Sequence, residues 1–176
     1  MRLVSVIFVA LAMQFGCFRP LAAWADDLED DPPFLSVGGG YADAYRQRPL
    51  GRATEFRVEY RDNHRFFLFK PFVGAMANTN NAFELMGGVR IDAYFGDRIV
   101  IMPSFAPSYY DDGDGIKLGH HVEFRSAIEF AYRFDNRARI GVGYSHISNA
   151  NLGRINPGFE TAFIMLSIPL TGFPTE

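Results

Sequence analysis

Three residue types that together hydrolyse esters fall within fifteen positions near the end of the chain: His146, Ser148 and Glu160. A serine hydroxyl is a weak nucleophile until a base takes its proton. Imidazole is that base near neutral pH, and a carboxylate beside it fixes the tautomer and stabilises the imidazolium. The trio sits in Gly143-Tyr144-Ser145-His146-Ile147-Ser148-Asn149 and Asn156-Pro157-Gly158-Phe159-Glu160. Such residues act only if a scaffold brings them together, so the elements around them come next.

After the first thirty or so residues, apolar and polar side chains alternate with period two, and helical spacing is scarce. Eight strands are expected, at 34–43, 51–61, 65–78, 82–95, 97–109, 118–134, 138–149 and 159–170. In the sixth, Val122, Phe124, Ile128, Phe130, Tyr132 and Phe134 share one face, and Glu123, Arg125, Glu129 and Arg133 the other. In the second, Phe56, Val58 and Tyr60 oppose Glu55, Arg57, Glu59 and Arg61. In the fourth, Phe83, Leu85, Val89, Ile91 and Phe95 oppose Glu84, Arg90 and Asp92.

A soluble sandwich would bury the apolar face. A transmembrane barrel would turn it to lipid and pair the charges inside. The strands are long enough for tilted crossings, their number is even, and short and long connections alternate. Tyr94, Phe95, Tyr109, Tyr110, Tyr132 and Phe134 stand near strand ends, where aromatic girdles belong. The expected fold is therefore all-β, an eight-stranded antiparallel transmembrane β-barrel. So narrow a barrel is filled by side chains. The inward Glu55, Arg57, Glu59, Glu84, Arg90, Glu123, Arg125, Glu129 and Arg133 read as a buried salt-bridge network rather than as paired catalytic carboxylates.

The bulk numbers agree. The chain has 176 residues, 15% aromatics with 18 Phe and 8 Tyr, and a formal net charge of −3, which gives no footing for nucleic acid. Arg2, the apolar stretch from Leu3 to Phe18 and Ala23-Trp24-Ala25 read as a cleavable signal peptide over 1–25. A mobile acidic lead-in is expected at 26–33, the barrel at 34–170 and a short tail at 171–176. Cys17, the sole cysteine, falls within the signal, so no disulfide or thiol chemistry is expected of the mature chain.

Strand parity places the trio. Ile140, Val142, Tyr144, His146 and Ser148 share a face, as do Glu160, Ala162, Ile164, Leu166, Ile168 and Leu170. These bulkier sets face lipid, while Gly141 and Gly143 make room inside. With both chain ends in the periplasm, His146, Ser148 and Glu160 lie at the outer rim, facing the membrane. Ionisable groups there are costly unless paired, so a trio of polar groups points to function. Their substrate must arrive laterally from the outer leaflet, which means a lipid ester.

These segments resemble the lipid A 3-O-deacylase (PagL) family. The resemblance rests on His146-Ile147-Ser148-Asn149, on Asn156-Pro157-Gly158, and on Glu160 twelve residues beyond the serine. Leu118 to Ser126 and Ala131 to Asn136 are similar too; before residue 118 the likeness is architectural. It implies an outer-membrane esterase of a Gram-negative bacterium that removes the 3-O-acyl chain of lipid A, with lipopolysaccharide as partner and no metal or cofactor. It implies Ser148 as nucleophile, His146 as base, Glu160 as the acid and the Asn156 side chain in the oxyanion hole. Asn149 is a supporting candidate, and Gly153 or neighbouring amides a second donor. A homodimer is left open.

Two rival readings remain at this stage: a non-catalytic small barrel for membrane integrity or adhesion, and a soluble ligand-binding barrel. The Asp111-Asp112-Gly113-Asp114-Gly115 run lacks the ligand spacing of a calcium loop and reads as a solvated outer loop. His120 and His121 are strand neighbours pointing opposite ways, and His64 reads as a surface turn residue.

Overall fold

The computed structural model describes residues 31–46, 48 and 51–170. The expected signal peptide, most of the acidic lead-in and the 171–176 tail lie outside them. Among the described residues nine strands form: β1 (Phe34–Ala42), β2 (Ala53–Arg61), β3 (Lys70–Asn78), β4 (Phe83–Arg90), β5 (Ala93–Phe95), β6 (Ile99–Asp111), β7 (Val122–Arg133), β8 (Arg139–Ser148) and β9 (Phe159–Pro169). Consecutive strands pair antiparallel except β4 with β5; β4 and β5 both pair with β6, and β1 pairs with β9. The sheet is thus a closed barrel with no free edge.

β4 and β5 are two halves of one barrel strand, so the expected count of eight holds. Arg90 faces Ser104 and Ala93 faces Ile101, three residues on in each direction, so the register never slips. Pairing lapses at Gly87 and Gly88 and again at Ile91 and Asp92. The register puts Gly87 opposite Pro107 and Ile91 opposite Pro103, which have no N–H to donate. The Ile91 N–H still reaches the Pro103 carbonyl, at 3.0 Å.

Alternation turns the apolar residues outward. Phe56, Val73, Val142 and Ile164 are each more than half exposed on the barrel wall, while Glu55, Arg57, Glu59, Arg61, Glu84, Arg90, Glu123, Arg125, Glu129 and Arg139 are buried inside. Most of the interior charges pair, but among the described residues Glu84 and Glu123, expected in the same network, form no ion pair, and both Glu123 carboxylate oxygens are buried without a hydrogen-bond partner. Arg57 meets Glu55 at 2.8 Å, and Arg61 meets Glu59 at 2.9 Å and Glu129 at 2.7 Å. Arg139 meets Asp92 at 3.1 Å, and Arg125 meets Glu59 at 3.6 Å. Removing one member would strand its partner's charge, a loss of roughly 3–5 kcal/mol. Two inward glycines make room as expected. A Cβ on Gly141 would stand 2.6 Å from Glu129 Oε1, and one on Gly143 would stand 2.3 Å from the Phe163 ring. That ring carries the Arg57 guanidinium 4.4 Å from its centroid.

Several expectations fail in detail. The third strand starts at Lys70 rather than 65. Residues 65–69 form a turn closed by Phe66 and Phe69, with Phe67 at φ +55°, so the connection expected at 62–64 runs from 62 to 69. The aromatic run looked like strand, but it has no partner across the sheet. The second strand begins at Ala53, and β7 at Val122 rather than 118, because residues 118–121 belong to a loop. Tyr94 and Tyr110 are not girdle residues. They share parity with Arg90 and Ser108 and are buried inside, whereas Phe95 and Tyr109 face out.

The lead-in also departs from expectation, since Asp31 is fully buried. Its carboxylate takes hydrogen bonds from Arg133 at 2.7 Å, Arg139 at 2.6 Å and Tyr94 at 2.7 Å. Burial alone would raise its pKa. The hydrogen bonds of Arg133 and Tyr94 and the charge of Arg139 outweigh that and hold it at about 2. Arg133, expected in the interior network, pairs with Asp31 at this end.

Candidate active site on the outer wall

The site lies on β8, β9 and the connections at the end opposite Asp31. β8 and β9 pair in a register that sets His146 directly across from Glu160. His146 Nδ1 stands 3.4 Å from Glu160 Oε1, so the ring can pair with the carboxylate through that nitrogen. Ser148 lies two residues further along β8 on the same outward face, roughly 7 Å on by strand rise. No hydrogen bond joins Ser148 to His146 among the described residues. On the other flank of His146 the register sets Ser126 of β7, which is small and exposed, so the wall beside the imidazole is open.

The 149–158 connection closes over this pair. Asn149 is fully buried. Its Nδ2 donates to the Leu118 carbonyl at 2.7 Å and the Ile155 carbonyl at 2.8 Å, and its Oδ1 accepts the Asn151 N–H at 2.9 Å. Both amide hydrogens are therefore committed, and the side chain acts as a staple for the loop. Ala150 and Asn151 adopt left-handed φ of +51° and +67° beside it, a strained turn that the staple holds. The Asn156 Oδ1 accepts the Asn149 N–H at 3.1 Å, so the Asn156 amide sits against the peptide that follows Ser148. Asn156 Nδ2 donates to Asn151 Oδ1 at 3.2 Å, which leaves its second hydrogen free for another acceptor. Gly153 packs against Gly119 and the Asn149 amide, where a Cβ would have no room.

Gly158 packs directly on the His146 ring. With φ +51°, a Cβ there would stand 2.9 Å from His146 Cε1 and 3.3 Å from Nε2. Only glycine suits both the backbone and the space.

Parity correctly assigns Glu160 to the outward register, yet Glu160 is buried and its outward neighbours Ala162 and Ile164 are exposed. The cover is the β1–β2 connection, which sequence patterning did not single out. Arg46 Nη2 reaches Glu160 Oε1 at 3.2 Å, and Arg48 Nη2 donates to the Gly158 carbonyl at 2.6 Å. Arg48 also grips Asp43 at 2.7 Å. Burial would raise the Asp43 pKa, but these Arg48 bonds and charge hold it below the ordinary carboxylate range. The signal in the sequence was two arginines in the connection between the first two strands. Beside this segment a cleft of about 620 Å³ opens, lined by Arg48, Ile116, Lys117 and Pro157. The acidic 111–115 run binds its own backbone and Asn81.

The chain is thus a closed barrel that carries a His–Glu pair on its outward face. The lipid A 3-O-deacylase (PagL) family profile matches residues 39–169. The chain belongs to that family. It is an outer-membrane β-barrel. The fold is similar to the crystal structure of the outer membrane enzyme PagL, with a TM-score of 0.63 and 19% identity over 78% of this chain and 99% of that one. It is also similar to Neisserial surface protein A (NspA), at 0.60 and 10% identity over 78% and 96%. A de novo designed transmembrane β-barrel follows, at 0.56 and 12% over 80% and 100%. Among curated proteins none matches the sequence.

Proposed function

We propose that the protein hydrolyses the ester that holds the 3-O-acyl chain of lipid A, by a Ser–His–Glu mechanism. The observation that carries this reading is the register pairing of His146 with Glu160 on the lipid-facing wall, with Ser148 on the same face. Substrate lies in the outer leaflet with its acyl chains along the wall and its headgroup level with the outer connections. His146 takes the Ser148 proton as the hydroxyl oxygen attacks the ester carbonyl carbon. The Nδ1–H then points at Glu160, which stabilises the imidazolium. The 3.4 Å separation is long for a hydrogen bond, as catalytic contacts commonly are before substrate binds.

The free Asn156 amide hydrogen would donate to the tetrahedral oxyanion. Collapse breaks the ester bond, and the imidazolium returns its proton to the departing sugar hydroxyl. Water, deprotonated by His146, then frees the acyl chain from Ser148 as a carboxylic acid.

The test is mass spectrometry of lipid A from cells with and without the protein. Loss of one hydroxyacyl chain is expected, and Ser148→Ala or His146→Ala should abolish it with the barrel still inserted. Unchanged lipid A with the protein inserted would instead support a non-catalytic barrel for membrane integrity or adhesion. Full activity in Glu160→Ala would remove the carboxylate from the mechanism.

A further inference from the structure

Glu160 stands in an outward register position and is nevertheless buried. The residues that bury it come from one connection and grip one short segment. The Ala44 N–H donates to the Glu160 carbonyl at 3.2 Å. Arg46 donates through Nη2 to Glu160 Oε1 and through Nη1 to the Pro157 carbonyl at 2.5 Å. Arg48 donates to the Gly158 carbonyl. Arg48 is immobilised in turn. Its Nε, Nη2 and backbone N–H all bind Asp43, which is fully buried, and Gly51 leaves Asp43 no space to move, since a Cβ there would lie 2.6 Å from Asp43 Oδ2.

We propose that Arg46 and Arg48, backed by Asp43, are positioning residues for His146. This rests on the function proposed above. Arg46 and His146 Nδ1 share the single oxygen Glu160 Oε1, while Oε2 is buried without a hydrogen-bond partner. The orientation of the carboxylate is therefore set by what holds Oε1, and Arg46 provides the charge-assisted bond that aims it at the ring. Arg48 works on the ring's other edge. By holding the Gly158 carbonyl it seats Gly158 against Cε1 and Nε2 of the imidazole. The base is thus fixed between two arms of the β1–β2 connection, although neither arginine meets the imidazole.

The test measures kcat and KM separately on purified lipid A for Arg46→Ala, Arg46→Lys and Arg48→Ala, with heat-modifiable gel migration as the check on folding. Arg46→Ala should lower kcat by about tenfold or more, with KM within about twofold. Arg46→Lys, which keeps the charge, should restore most of the loss, and Arg48→Ala should lower kcat alone. A raised KM with kcat retained would overturn the proposal, since Arg46 would then be contacting substrate. Unchanged constants would overturn it equally. A second readout needs no catalysis: the downfield Nδ1–H proton resonance of His146, identified by its loss in His146→Ala. It should shift or broaden in Arg46→Ala as it does in Glu160→Gln. Indifference of that resonance to Arg46→Ala sinks the positioning role even if esterase activity is established. A wild-type protein that shows the coupling but leaves lipid A intact refutes the esterase reading instead.

Discussion

Replacing Gly158 with alanine tests the architecture of the base without touching any group proposed to react. The new methyl would stand 2.9 Å from both His146 Cε1 and the Ile147 carbonyl oxygen. Carbon atoms settle at about 3.5–4.0 Å, so the imidazole must retreat by roughly 0.6–1.1 Å. A displacement of about 1 Å at a reacting group lowers rate by on the order of 10²-fold. Alanine at φ +51° also costs about 1–2 kcal/mol of backbone strain. That loss needs its own control, which Gly96→Ala supplies. Gly96 has φ +64° with nothing within 4 Å of its Cβ position, and it lies in the turn at the other end of the barrel. Both variants should lose the backbone-strain part of their stability to urea, Gly158→Ala more because of its clash with the Ile147 carbonyl, but only Gly158→Ala should lose kcat, by about two orders of magnitude on purified lipid A. If Gly158→Ala keeps activity within about threefold of wild type, or Gly96→Ala falls as far, the ring is not seated by Gly158 and the argument fails.

Asp31 predicts a pH-dependent stability difference. Its folded pKa of about 2 lies below the ordinary 3.8. Its pairing therefore stabilises the fold fully above pH 4 and is lost as pH falls toward 2, by roughly 2 kcal/mol in all. Urea unfolding of wild type and Asp31→Asn should differ at pH 7 and converge near pH 2; a gap independent of pH would contradict this. Asn149→Ala strands the Leu118 and Ile155 carbonyls and frees the Asn151 N–H. It should cost about 2–3 kcal/mol and expose the 149–158 connection to limited proteolysis, which gel analysis would detect. Arg61→Ala leaves Glu59 and Glu129 facing each other without their shared cation, so it should destabilise the barrel by about 3–5 kcal/mol while a double change with both glutamates made Gln recovers part of it.

Much of this protein is written in local pattern. Alternation of period two assigns inside and outside for every strand, because a strand's successive side chains point oppositely whatever its neighbours do. That alone put Glu55, Arg57 and Glu129 in the lumen and Val142 and Ile164 on the wall. It also put His146, Ser148 and Glu160 on one outward face. Pattern failed where a residue's fate depends on pairing. Phe66 to Phe69 looked like strand, but β3 gains its partners only from Lys70 onward. Tyr94 and Tyr110 looked like girdle residues by position, but parity turned them inward.

What only the tertiary structure decided is how the site is held. Asp31, Arg46, Arg48 and Gly158 sit in connections without periodicity, where side-chain direction follows from long-range contacts. Asp31 meets Arg133 and Arg139 about a hundred residues away, and Arg46 meets Glu160 after 114. Such contacts exist because closing the barrel pairs β1 with β9 and so lays the connection after Ala42 beside the segment before Phe159. The shared outward face of His146, Ser148 and Glu160 is set by strand parity. The burial of Glu160 and the seating of His146 come from a closure between distant ends of the sequence, which no local spacing encodes.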